Sequence, residues 1–133
     1  MKVLITENKF KDILKLSIKD SGTQTTIDNV GGWDNFCNVF KIQSPMDFLH
    51  LFDDLKQVQS KEREEWTLFR YKPNHNFMVY DRKSKGVYIN YDEIWSFLEN
   101  NFGLQYSDIG PLTQDWLDEV YNLRGVTTMD SWW

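Results

Sequence analysis

Residues 66–91 constrain the fold more than any other stretch of this chain. Three runs, WTLFRY, NFMVYD and GVYINY, are rich in aromatic and β-branched residues. They are separated by KPNHN and RKSKG, whose Pro, Asn, Ser and Gly favour turns. Connections this short join neighbouring strands in antiparallel order, so the stretch predicts an antiparallel meander of three strands. Alternation places Trp66, Leu68, Phe77, Val79, Val87 and Ile89 on one face and Phe69, Tyr71, Met78, Tyr80 and Tyr88 on the other. Both faces are then apolar or aromatic. Such a sheet needs cover on both sides, or one face serves for binding.

Helical spacing flanks the meander. In TENKFKDILKLSIKDSG, Thr6 is a candidate cap, Gly22 a stop, and Phe10, Ile13, Leu14 and Ile18 form one apolar stripe. A polar turn region follows. GGWDNFCNVF then sets Trp33, Phe36, Cys37 and Phe40 on one helix face. SPMDFLHLFDDLKQVQ has the strongest start signal: Ser44 as cap, Pro45 in the first helical position and Asp47 three residues after the cap. Its stripe is Phe48, Leu51, Phe52, Leu55 and Val58. YDEIWSFLENNFG, capped by Asp92 and stopped by Gly103, and PLTQDWLDEVYNLRG, started by Pro111, complete the set. The expectation is an α+β fold, about five helices packed around a three-stranded antiparallel β-meander, with residues 1–133 as a single domain.

The residue types exclude much chemistry. VGGWDN lacks the lysine of a phosphate loop, and no serine elbow, HExxH or CxxC pattern occurs. Cys37 is the single cysteine, so neither an internal disulfide nor a thiolate zinc cluster can form, and a buried inert thiol is expected. His50 and Asp54 are too few ligands for a metal, and His75 lies in a turn. The pairs Asp53–Asp54 and Asp92–Glu93 diverge by about 100° on a helix. Catalytic residues, a metal and a cofactor are therefore not expected. No run of 18 apolar residues occurs, and the VLI near the start is too short for a signal peptide. A cytoplasmic protein away from membranes is the expectation.

Binding is the class that remains. Residues 61–91 hold seven basic against four acidic side chains, whereas 92–133 hold Arg124 against eight acids. The basic stretch interleaves Arg70, Lys72, Arg82, Lys83 and Lys85 with Tyr71, Phe77, Tyr80 and Tyr88. Aromatic side chains on a sheet stack bases while cations hold phosphates, so a nucleic-acid interface is one reading. The plainer one is that helices cover the aromatic face and the RKSKG charges solvate a turn. The acidic end reads as a solvated helix face rather than a nucleic-acid mimic.

Several segments carry a resemblance: the opening MKVLITENKF, with its MK-x-LITE start, and SPMDFLHLFDDL, WTLFRYKP, MVYDRK, VYINYDEIWSFLE and WLDEVYNLRGVTT. Together they resemble small proteins of tailed bacteriophages, marine ones especially, whose motifs have no known role. The resemblance covers most of the chain outside 20–30 and the closing MDSWW. It implies a phage or marine-metagenome origin and carries over no active site, ligand or partner.

The favoured reading is a non-enzymatic protein that binds protein: itself, a host component or a virion component. Its candidate contact residues are Tyr71, Tyr80, Tyr88, Trp132 and Trp133, because aromatic side chains concentrate at interface centres. For the last two, the β-branched VTT after Gly125 predicts an extended path that folds back and buries at least one tryptophan.

Overall fold

The computed structural model describes residues 7–73 and 75–131. The chain divides into two compact units, Met1–Gln43 and Ser44–Trp133. The first holds three helices, α1 (Glu7–Ser21), α2 (Thr23–Asn29) and α3 (Trp33–Phe40). The expected polar turn region before GGWDNFCNVF is instead helical, as α2. Its Thr26 and Ile27 are buried, and Thr26 shares a 2.8 Å hydrogen bond with Ser17 of α1. An α2 of seven residues is only about 10 Å long. It lies against the later part of α1, so Leu14 and Ile18 are buried as expected while Phe10 and Ile13 are 41% and 51% exposed. In α3 the expected face holds in part: Phe36 is fully buried, and Cys37 is half-buried with its thiol pushed up by burial and by Asp34.

The second unit is built on a five-stranded sheet in the order β1-β2-β3-β4-β5, with β1 Lys56–Gln59, β2 Trp66–Lys72, β3 His75–Asp81, β4 Gly86–Ile89 and β5 Thr127–Asp130. The α+β class stands; the sheet is wider than the expected three strands. The meander β2-β3-β4 lies at its centre and is antiparallel. β1 adds to one side antiparallel, and β5 adds to the other side parallel to β4. A parallel neighbour needs a long crossover, and α5 (Trp95–Phe102) and α6 (Tyr106–Tyr121) supply it.

Several boundaries differ from the sequence pattern. The helix capped by Ser44 is α4 (Pro45–Leu49), with the reciprocal Ser44–Asp47 capping box in place. It tightens into a 3-10 turn at His50–Phe52 and ends, so Val58 belongs to β1 and not to a helical stripe. Helix α6 begins at Tyr106, five residues before Pro111. The Asp108 carboxylate accepts the Gln105 N–H at 3.1 Å, which fixes the start, and Pro111 sits inside the helix. Asp92 caps nothing: it lies in the turn before α5, its N–H bonded to the Asn90 side chain. Gly103 does stop α5, at φ 66°.

One face of the sheet packs on helices. Phe69 meets Tyr121 of α6 edge-on at 5.1 Å, and Phe77 meets Phe52 of the 3-10 turn at 4.8 Å. Phe77 reaches this side through a β-bulge: Phe69 pairs with Met78 and Arg70 with Asn76, which leaves Phe77 extra. The β4 alternation is also one residue out of phase with expectation. Val87 pairs with Tyr80 and Ile89 with Met78, so both lie on the face of Phe69, while Tyr88 pairs with Val79 on the other. The hairpin sets this register: Asp81 pairs with Gly86, and the four residues between include Lys85 in the left-handed region.

Candidate functional site

The second face of the sheet runs in cross-strand rows. Lys56, Arg70 and Asn76 form one row, Val58, Leu68, Val79 and Tyr88 the next, and Trp66 with Asp81 a third. Where β1, β2 and β3 meet, this face is concave. The hollow is about 400 Å³, within the range of ligand sites. Val58, Leu68 and Trp66 give it an apolar floor, and Arg70, Asn76, Gln59, Ser60, Lys61 and Glu62 surround it.

Each wall has a local cause. The bulge at Phe77 brings Asn76 opposite Arg70, whose Nε donates to Asn76 Oδ1 at 2.7 Å. That bond fixes the plane of the guanidinium and leaves both terminal nitrogens without a hydrogen-bond partner among the described residues. Trp66 is held from two sides. The Arg63 guanidinium lies 4.5 Å from its ring centroid on one side, and in the sheet Trp66 pairs with Asp81 on the other. Burial alone would raise Asp81, but the N–H groups of Lys83 and Ser84, the Ser84 hydroxyl and Trp66 together hold it below the usual carboxylate range. The 60–65 loop that rims the hollow is tied by Arg82, which donates to Gln59 Oε1 at 3.0 Å, to Thr67 Oγ1 at 2.8 Å and to the Glu64 carbonyl.

The candidate residues named from the sequence are dispersed. Tyr88 is half-buried on the hollow's face of the sheet, beyond Val79 and beside Met129. Tyr80 is half-buried on the helix-covered face between Thr67 and Val87. Tyr71 points to the helix side and donates to Glu93 Oε2 at 2.9 Å. Of the cations, Arg70 is at the hollow, Lys72 pairs in register with His75, Arg82 is committed to the loop, and Lys83 and Lys85 are exposed on the β3–β4 turn. Trp132 and Trp133 lie outside the described residues. The described chain runs back along β4 as β5, and just beyond it the Ser131 N–H donates to the Ile89 carbonyl at 2.9 Å.

A second cluster was not visible in the sequence. Glu93 Oε1 lies 2.9 Å from His75 Nε2, and the Tyr71 hydroxyl lies 3.2 Å from that same nitrogen. The three close a triangle from β2, β3 and the turn before α5. Burial first, then the charge and hydrogen bond of Glu93, push the Tyr71 phenol far up, so it stays a neutral donor. The triangle ties the ends of β2 and β3 to the turn before α5, which suits a brace across the strand ends. Among the described residues, no three histidine, cysteine or acidic side chains are placed to hold a metal ion, and no helix is long and apolar enough to cross a membrane.

Comparison with known proteins adds no relationship: no family model, curated protein or solved structure matches this chain.

Proposed function

We propose that this chain is a small bacteriophage protein that acts by binding another protein, through an extended segment of the partner laid along β1. The phage origin rests on the resemblance of its segments. The observation that carries the binding mode is the conjunction of a free strand edge with a hollow beside it. Among the described residues β1 pairs with β2 alone, so its outer side presents main-chain N–H and C=O groups. The hollow begins at Val58 of that same strand. Strand addition uses this combination: main-chain bonds supply affinity, and a pocket for every second side chain supplies specificity. Lys56, Gln57 and Gln59 are exposed on the edge, and a lysine there opposes pairing between identical copies. That favours a different protein over a second copy.

The nucleic-acid reading draws less support. Its tyrosines are split between two faces of the sheet, so they form no common stacking platform, and Arg82 is already engaged. Selection of a displayed random octapeptide library on the purified chain tests the proposal. Peptides should be enriched on the wild type and lost on Val58→Glu, which fills the hollow, provided both proteins melt alike. Peptides that bind Val58→Glu equally well would sink the proposal. So would an absence of enrichment over bare matrix.

A further inference from the structure

The rows of the sheet face specify more than a strand. We infer that β1 takes an acidic segment of the form acid–x–apolar, with Arg70 as the residue that selects the acid. The inference rests on the strand-addition reading above. An added strand continues each cross-strand row by one position. One residue of the partner therefore stands beside Lys56 in the row of Arg70 and Asn76, and the residue two further along stands beside Val58 in the row of Leu68.

The first row is cationic. The register pairs Lys56 with Arg70, so two positive side chains share it, and the neutral Asn76 completes it. Asn76 binds Arg70 at Nε, which leaves the two terminal nitrogens as a preset fork for a carboxylate. The second row is apolar, and Trp66 flanks it as an aromatic wall. Charge agrees with this assignment. Lys61 and Arg70 against Glu62 leave the hollow's lining net positive in a chain of net charge -5. Glu62 is an exposed rim residue, and no ion pair joins it to Arg70 among the described residues. An acidic partner strand would also relieve the repulsion between Lys56 and Arg70, whereas a basic or neutral strand would bury it.

The test is a double-mutant cycle on the synthetic peptide that emerges from the octapeptide selection. Selected sequences should share an Asp or Glu two residues from a Val, Ile, Leu or aromatic residue. Changing that acid to its amide should weaken binding to the wild type by about tenfold to a hundredfold, the range for a charge-assisted bond. On Arg70→Gln, which leaves Lys56 in the row, the same change should cost clearly less than on the wild type, and on Arg70→Gln with Lys56→Gln less than about twofold. Arg70→Lys, which keeps charge but loses the fork, should fall between. Peptides that bind at β1 without a shared acid would overturn this inference and leave strand addition standing. An acid whose removal costs as much on Arg70→Gln as on the wild type would do the same. Failure to enrich any peptide would instead remove the strand-addition reading itself.

Discussion

The indole N–H of Trp116, on α6, donates to the Asp53 carboxylate at 2.8 Å across 63 residues of sequence. One turn further along α6, the Tyr121 hydroxyl donates to the Phe52 carbonyl and accepts the Leu55 N–H at 3.1 Å. Three bonds from one helix thus clasp the short segment that leads from the 3-10 turn into β1. His50 Nδ1 braces it from the other side, 2.8 Å from Asp53 Oδ2. The clasp decides where β1 starts, and so where the free edge and the hollow lie.

Breaking the clasp should destabilise the second unit. Tyr121→Phe strands a carbonyl and an N–H in a part-buried place and should cost about 1–3 kcal/mol. Trp116→Phe with Asp53→Ala should couple by about 1–2 kcal/mol in a double-mutant cycle. Urea titration measures both. Additive effects would show that the 2.8 Å contact contributes nothing.

Alkaline titration should separate the tyrosines. Burial is the main cause that holds Tyr71 and Tyr121 above the ordinary value of 10.0, reinforced by Glu93 in the first case and by Asp53 and Asp54 in the second, with the Leu55 N–H opposing. A phenol raised in the folded state stabilises the fold below its unfolded value, and that stability drains away as pH rises above it. Absorbance at 295 nm should therefore report at most four of the six tyrosines ionising before near-ultraviolet circular dichroism is lost. Six ionising in the intact fold would contradict the burial of these two.

Acid should act through Asp81 in the opposite sense. Its carboxyl is held below the ordinary 3.8, so its contribution is present above that value and is lost as pH falls through the folded-state value. Asp81→Asn should be less stable than the wild type at pH 7, and the gap should shrink as pH falls below 3.8 and through the folded-state value. A gap independent of pH would mean that the charge plays no part in holding the β3–β4 turn.

Lys85 sits at φ 57° and Lys41 at φ 56°, where a side chain costs about 1–2 kcal/mol against right-handed backbone. Glycine removes that strain and adds unfolded-state entropy, so Lys85→Gly and Lys41→Gly should each stabilise by about 0.5–1 kcal/mol in thermal or urea melts. Destabilisation by Lys85→Gly would place the hairpin in another register.

Local chemistry was legible where a few neighbouring residues settle it. Ser44, Pro45 and Asp47 announce the start of α4, Gly103 announces the end of α5, and the turn residues at 73–74 and 82–85 announce the meander. The hollow was not legible. KQVQ follows a helical pattern without a break, and its conversion to β1 depends on Tyr121 and Trp116, far away in sequence. The triangle of Tyr71, His75 and Glu93 was hidden for the same reason.

By itself, then, the sequence determined the α+β class, the antiparallel centre of the sheet and a few helix ends, such as the start of α4 and the end of α5, because capping, turn preference and alternation act within a few residues. Tertiary structure decided the rest. It recruited 56–59 and 127–130 as strands, because edge strands take their pairing from a neighbour and not from their own composition. It turned Val87 and Ile89 toward the helices, because a period of two makes the buried face depend on a single residue of register. It turned Phe77 inward and brought Asn76 to Arg70 through one bulge, an insertion that alternation alone cannot reveal.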